Sequence, residues 1–413
     1  MNRVIVKESV KIDDYKGVID DSLFFELKNL AEKLQNVRVC HVNATSYGGG
    51  VAEILTKEIP LAKSLDLDFS WKVIQAKPEF FDVTKKIHNG LQGDPLTISN
   101  EEWQIFSSCN LGMTNHLSVK DYDVVFIHDP QPAEIINCIG KNGAKWVWRC
   151  HIDTSEPNQE VADYFLKFLH MYDASIFTMQ DYVFKGLDSQ VFIIPPAIDA
   201  LSEKNRYMSR DEAQGIIEGF RIDTSRPLAT QVSRFDPWKD PIGVVEAYKI
   251  AREKVPDLQL VMIGSMASDD PEGQQIFDEV KKHANGDKNI FLLSNQDGVN
   301  DREVNAFQTY SDVIIQKSTK EGFGLTVSEA LWKETPVIGG NVGGIPTQIE
   351  DGKDGFLVNS VEECAEKMIF LVQNKGLAHE MGKRGREVVR QNFLLPRLLR
   401  DELRVIEKLT KSS

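Results

Sequence analysis

The chain has 413 residues, of which 41% are hydrophobic and 27% charged, a composition that excludes a disordered polymer and exceeds what a single ordinary core holds. The formal net charge of −14 comes without any clustered basic face, which excludes a general nucleic-acid binder. Apolar runs such as 124–127 and 191–194 have strand length, far below the ~20 residues of a membrane span.

At the start, Met1-Asn2-Arg3 soon meets Lys7, Glu8, Asp13 and Asp14, so no secretory leader is expected. The cysteines at 40, 109, 138, 150 and 364 are odd in number and form no CxxC pair. Reduced thiols in a cytoplasmic protein follow, with neither a disulfide framework nor a structural zinc. Residues 1–35 read as an N-terminal extension with a helix over 22–34. From residue 36, β-rich runs alternate with helical ones. A strand at 37–42, a loop at 43–50 and a helix at 51–65 open the series. Strands are predicted at 71–75, 123–128, 145–151, 174–179 and 191–195. Strands separated by helices make βαβ units and a parallel sheet, an α/β fold.

Pro195-Pro196-Ala197-Ile198-Asp199 then breaks any helix, and 195–205 reads as a linker. A second series has strands at 228–235, 258–264, 290–294, 312–317 and 336–340. Asp240-Pro241 pairs a cap residue with a first-turn proline, and Val244, Ala247, Tyr248 and Ala251 follow as one apolar face. Ser360-x-x-Glu363 is a capping box before a helical stripe of Cys364, Ala365, Met368, Leu371 and Val372. A last helix covers 396–409. The predicted domains are 1–200 and 201–395, with 396–413 a separate helix, and two halves of similar size predict a ligand-enclosing cleft.

Four motifs carry chemistry. Tyr47-Gly48-Gly49-Gly50-Val51 lies between a strand and a helix, where bare backbone and free N–H groups suit a phosphate. A tight turn explains the same glycines. Ser233-Arg234-Phe235-Asp236-Pro237-Trp238-Lys239-Asp240 leaves a strand of the second half at its carboxyl end, where open parallel sheets bind ligands. Arg234 as a fork and Lys239 as a point charge can hold a diphosphate, although surface pairing with Asp236 or Asp240 accounts for both. In Lys320-Glu321-Gly322-Phe323-Gly324-Leu325-Thr326-Val327-Ser328-Glu329-Ala330, Glu321 precedes a glycine turn and Glu329 lies at a helix start. The backbone of Gly322, Phe323, Gly324, Leu325 and Thr326 offers N–H groups to a phosphate, and a buried Glu329 can accept two ribose hydroxyls. The plain alternative is two solvated glutamates. Finally, His128-Asp129-Pro130-Gln131-Pro132 and Arg149-Cys150-His151-Ile152-Asp153 follow buried strands of the first half and suit sugar hydroxyls. The other histidines read as structural or exposed. Without HExxH spacing or a DxD-like pair at a strand end, no tightly held metal is expected; Mg²⁺ would at most accompany a free nucleotide.

Together these motifs resemble the family-four glycosyltransferases of the GT-B fold, through Gly48-Gly49-Gly50, Arg234 with Lys239, His151 and the Glu321-x7-Glu329 spacing. Gly339-Gly340-Asn341-Val342-Gly343-Gly344-Ile345-Pro346 adds to the likeness, which spans nearly the whole chain after residue 36. More narrowly, Gly48 through Glu53, 128–132, Trp148-Arg149-Cys150-His151-Ile152-Asp153, 195–199 and Ser202-Glu203-Lys204-Asn205 resemble trehalose glycosyltransferring synthases and the related retaining trehalose phosphorylases. The resemblance implies two Rossmann-like domains facing across a deep cleft, with the final helix crossing back to the first. It implies reversible transfer of glucose from a nucleoside diphosphate glucose to free glucose, giving α,α-trehalose. Arg234 and Lys239 would neutralise the leaving diphosphate, Glu321 would bind donor-glucose hydroxyls, Glu329 the ribose, and His151 would lie beside the donor sugar. Asp129, Gln131 and Asp153 are candidates for the acceptor, and 294–296, Asn295 among them, for the base. Retention without an obvious nucleophile suggests same-face attack, with a phosphate oxygen taking the acceptor proton; a covalent intermediate on Glu321 is the alternative.

Three other readings compete: a phosphorylase splitting trehalose with inorganic phosphate, a retaining glycosidase with Glu321 and Glu329 paired ~5–5.5 Å apart, and a non-catalytic nucleotide-sugar binder. A homodimer is the default assembly for an enzyme of this size.

Overall fold

The computed structural model describes residues 1–6, 10–47, 49–264 and 271–411, which form two compact units. The first comprises residues 1–197 and 395–413, the second 198–394. The chain therefore leaves the first unit once and returns to it at the end.

In the first unit the elements run β1 (Asn2–Arg3), α1 (Asp21–Leu34), β2 (Arg38–Asn43), α2 (Gly50–Lys63), β3 (Asp68–Val73), α3 (Pro78–Leu91), α4 (Asn100–Met113), β4 (Val124–His128), α5 (Ile135–Ile139), β5 (Lys145–Arg149), α6 (Gln159–Leu169), β6 (Ala174–Phe177) and β7 (Gln190–Ile193). Among the described residues the strands form one sheet in the order β1-β3-β2-β4-β5-β6-β7. It is parallel except for β1, which pairs antiparallel with β3. Such strands are buried on both faces, so their sequences run continuously apolar, and Val124–His128 is buried throughout. One face carries Cys40, Val42, Val125, Ile127, Trp146 and Trp148 into a core with the aromatic side of α4 and α6.

The second unit continues with α7 (Arg210–Glu218), β8 (Leu228–Val232), α8 (Pro241–Lys254), β9 (Gln259–Gly264), α9 (Pro271–Ala284), β10 (Ile290–Ser294), α10 (Asp301–Tyr310), β11 (Val313–Gln316), α11 (Leu325–Trp332), β12 (Val337–Gly340), β13 (Phe356–Val358), α12 (Val361–Gln373) and α13 (Lys375–Asn392). Its parallel sheet has the order β10-β9-β8-β11-β12-β13, which reverses direction between β8 and β11. Crevices at such reversals are where open α/β sheets take ligands. The last helix, α14 (Leu395–Lys411), belongs to the first unit. It buries Leu398, Leu399, Leu403 and Ile406 and packs on α1 and α2, and Arg404 Nε donates to Glu26 of α1 at 2.8 Å.

Several boundaries differ from the sequence reading. The strand expected at 71–75 starts at Asp68, because Phe69 and Trp71 are buried and Trp71 Nε1 donates to Asn43 Oδ1 of β2 at 2.7 Å. The strands expected at 145–151 and 228–235 end at Arg149 and Val232, where the chain turns into site loops. The stretch 198–205 is no free linker. Asn205 is buried, its amide donates to Asp199 O at 3.1 Å, and its carbonyl accepts from Trp332 Nε1 at 3.1 Å. β1 and β13 were not anticipated; two and three residues are too few to show a period. All five cysteines are free thiols. No helix of the described residues is long and apolar enough to cross a membrane.

Candidate active site

In the second unit the loops after β8 and β11 meet. A turn at Pro237–Lys239 follows β8, with the Asp236 carboxylate accepting from Trp238 N at 2.8 Å. That turn aims Lys239 at Glu321, and Lys239 Nζ donates to Glu321 Oε2 at 2.6 Å. The same carboxylate accepts from Gln316 Nε2 at 3.2 Å and Ser318 Oγ at 3.1 Å. Behind it Lys317 pairs with Asp240, which caps α8 through Gly243 N at 3.1 Å from a left-handed conformation (φ 47°). Arg234 behaves differently. Its guanidinium donates to Asp236 at 3.1 Å and is 68% exposed, the surface pairing that competed with a phosphate clamp. Lys239 alone of the two cations is drawn inward.

Glu321 leads into α11 through Gly324, whose φ of +83° only glycine adopts readily. Amides in the first turn of a helix lack partners within it, so Leu325 and Thr326 present donors beside Glu321. The Phe323 side chain is buried against the Phe393 ring at 5.4 Å, so only its backbone is available to a ligand. Gly344 supports this loop from beneath. Its N–H donates to Glu321 O at 3.2 Å, and a Cβ there would lie 2.7 Å from Gly322 O and Phe323 Cα. The glycine run at 339–344 thus allows two backbones to lie in contact, a role its composition announces only through the repeated glycines.

Glu329 is buried within α11, not solvated. Its oxygens accept from Lys204 Nζ and Gln308 Nε2, each at 3.0 Å. Burial alone would raise this carboxyl, but the Lys204 and Lys333 ammoniums and the two hydrogen bonds hold it below the usual range. Burial lowers Lys333 to about 7 despite Glu329. Glu321 is thus held by Lys239, Gln316 and Ser318, and Glu329 by Lys204 and Gln308. Gln308, Gln316 and Lys333 carry no motif of their own, and Lys204 enters the sequence only within Ser202-Glu203-Lys204-Asn205; Gln316 and Lys333 flank the Glu321–Glu329 motif, whereas Lys204 and Gln308, 125 and 21 residues from Glu329, reach it only through the fold. Asn295 is exposed on the turn after β10.

In the first unit the carboxyl ends of β2, β4 and β5 carry the polar groups. Gly49 and Gly50 start α2, while Gly48 lies outside the described residues. Asp129 takes a left-handed conformation (φ 61°) just after β4 and accepts from His151 N at 2.8 Å. Burial raises its carboxyl to about 7, against the opposing pull of that N–H and of Arg149. His151 Nε2 contacts His128 Nδ1 at 3.1 Å, and His128 Nε2 contacts His41 Nδ1 at 3.0 Å. Gln131 is half-buried, its backbone carbonyl taken by Asn110 at 3.1 Å. Asp153 folds back on Ser155, accepting from its N–H at 3.1 Å and its hydroxyl at 2.7 Å. Arg149 is buried and paired with Glu402 of α14.

Comparison with known proteins finds matches along most of the chain. A family model described as trehalose synthase, N-terminal domain, matches residues 41–184, and one described as glycosyl transferases group 1 matches 212–388. The chain is 48% identical over 401 residues to a trehalose synthase of Rubrobacter xylanophilus, covering 96% of each. It is 45% identical over 394 residues to one of Thermococcus litoralis, covering 95% of each. Among solved structures, sucrose-phosphate synthase from Thermosynechococcus elongatus superposes with a TM-score of 0.71 at 16% identity, covering 91% of this chain and all of that one. A trehalose 6-phosphate synthase from Burkholderia multivorans gives 0.70 at 16% identity, covering 91% and 99%. These two similarities establish the fold.

Proposed function

The chain belongs to the trehalose synthase family of GT-B glycosyltransferases, and from that premise we propose that it is a retaining glucosyltransferase forming α,α-trehalose reversibly from a nucleoside diphosphate glucose and free glucose. The observation that carries the donor half is the 2.6 Å bond between Lys239 and Glu321 beside the first turn of α11. An ammonium has three donors, so Lys239 can keep Glu321 and still meet phosphate oxygens. Arg234, exposed and held by a single aspartate, is free to swing onto the same diphosphate. Both cations would stabilise charge that develops as the diphosphate departs. Glu321 would orient donor-glucose hydroxyls, and Glu329, with lone pairs left on each oxygen, the ribose. Asp129, Gln131 and Asp153 remain the acceptor candidates. The clamp supplies its charge through side chains, so the proposed reaction calls on no resident metal, and Mg²⁺ would arrive only with the nucleotide.

A paired incubation tests this. Trehalose is supplied with a nucleoside diphosphate in one tube and with inorganic phosphate in the other. Nucleoside diphosphate glucose in the first tube alone is the expected result and ranks the bases. Glucose 1-phosphate in the second tube alone would make the protein a phosphorylase, and silence in both would sink the trehalose assignment.

A further inference from the structure

The carboxyl ends of three neighbouring strands of the first sheet each contribute an imidazole to one continuous chain. His41 is on β2, His128 ends β4, and His151 lies two residues past β5. Register pairs His41 with Phe126 and His128 with Arg149, so side-chain alternation places His41, Phe126, His128 and Arg149 on the same face. The contacts run His41 Nδ1 to His128 Nε2 at 3.0 Å and His128 Nδ1 to His151 Nε2 at 3.1 Å. The ring planes lie 30° and 16° from parallel with centroids 5.3 and 5.4 Å apart, the end-to-end arrangement that in-plane N–H···N bonds require. His41 and His128 are buried, and His151 is half-buried. The chain thus has a closed end and an open end.

A neutral imidazole has one N–H and one lone pair, so the chain has two consistent arrangements. In one, every ring carries its proton on Nε2; His41 Nε2–H is then a buried donor, and His151 Nδ1 is a bare acceptor. In the other, every ring carries it on Nδ1; His41 Nε2 is a buried lone pair, and His151 Nδ1–H faces outward. The closed end decides between them. His41 Nε2 is buried without a hydrogen-bond partner among the described residues, with its ring stacked on Phe126 at 4.7 Å. Orphaned buried N–H groups are the rarer defect. The Arg149 guanidinium, paired with Glu402, lies on the same face and further disfavours a positive charge on His41.

We infer that His41 and His128 are positioning residues that lock His151 as a neutral imidazole donating from Nδ1. Burial first, then Arg149, holds His151 well below its ordinary range, so the ring stays neutral across the working pH. His151 is therefore a hydrogen-bond donor to an oxygen of the substrate and not a proton acceptor. Two bonds behind it polarise its N–H in the same sense. The identity of the oxygen, a sugar hydroxyl, rests on the transferase reading above; the protonation pattern does not.

The test is a long-range proton–nitrogen correlation spectrum of the full chain with ¹⁵N-labelled histidine, recorded from pH 5.5 to 8. Signals are assigned by loss in His41→Asn, His128→Asn and His151→Asn. The expected result is a protonated Nδ1 and a bare Nε2 on all three rings, unchanged over that range. In His41→Asn, whose amide meets His128 as donor or acceptor, the His151 nitrogens should shift toward an average of the two tautomers. A proton on His151 Nε2, a titration within the range, or His151 signals indifferent to His41→Asn would each overturn the inference. Failure of the transferase reading shows separately, in the paired incubation, and leaves these spectra untouched.

Discussion

At the scale of single residues, two charges decide most. Lys239 is the inward-drawn cation of its loop, so Lys239→Met should lower turnover by about 10²–10³-fold, the range seen when one stabilising donor is removed. Steady-state rates with trehalose and a nucleoside diphosphate check this, with circular dichroism confirming the fold. Retention of more than a tenth of the rate would exclude a clamp role. Glu58 of α2 is the second case. It is fully buried, and burial pushes its carboxyl to about 7 against the opposing Arg149 and Arg397 charges. Its folded pKa exceeds the unfolded one, so the fold holds a proton that the unfolded chain releases. That contribution is complete below the ordinary carboxyl range and disappears as pH rises through about 7. Glu58→Gln does not titrate, so its melting temperature should gain on wild type between pH 5 and pH 8. A calorimetric difference that stays constant or shrinks would contradict the assignment.

At the scale of elements, α13 sits against the end of α11 through glycines. A Cβ on Gly382 would overlap the Glu334 carbonyl oxygen, and one on Gly385 would reach Leu331 Cδ2 at 2.6 Å. Gly382→Ala should therefore destabilise the protein by about 1–3 kcal/mol, the usual cost of overpacking, although alanine is the better helix former. The urea midpoint should fall; an unchanged or higher midpoint would mean that the helices part without penalty. This contact also marks how far a sequence can be read. The strands beneath the site were legible, because runs such as Val124–His128 are apolar and bounded by turn residues. So was the Glu321 and Glu329 spacing, since both fall within one loop and helix. The ties of Lys204 and Gln308 to Glu329 were not, because these residues stand 125 and 21 positions from it. His41 carried no sign of its tie to His151 either; a histidine inside an apolar strand looks like any buried ring until the neighbouring strands are known. Arg234 and Lys239 looked equivalent in sequence, and only the turn at Pro237–Lys239 separates them.

At the scale of the whole molecule, the two units differ in how they close. Residues 198–394 are contiguous and contain their own core, with Val244, Leu260, Ile315, Ile338 and Met368 fully buried or nearly so. A fragment of those residues should fold alone with a cooperative urea transition. Residues 1–197 lack α14 and with it Glu402, so buried Arg149 loses its ion partner, a loss worth about 3–5 kcal/mol for a buried pair. That fragment should stay unfolded or aggregate, and joining residues 395–411 to it by a flexible linker should restore its near-ultraviolet dichroism. Independent folding of 1–197 would show that α14 is dispensable.

The interruption of the first unit by the second has a consequence in time. On the ribosome, the sheet that carries His41, Asp129 and His151 is made early, yet its closing helix emerges roughly 200 residues later. At about 5–20 residues per second the wait is on the order of 10–40 s. Through that interval the surface that α14 will cover stays open while the entire second unit is being synthesised. The nascent first half is thus the stretch of this chain most exposed to misassembly, and the one for which a holding chaperone would matter most.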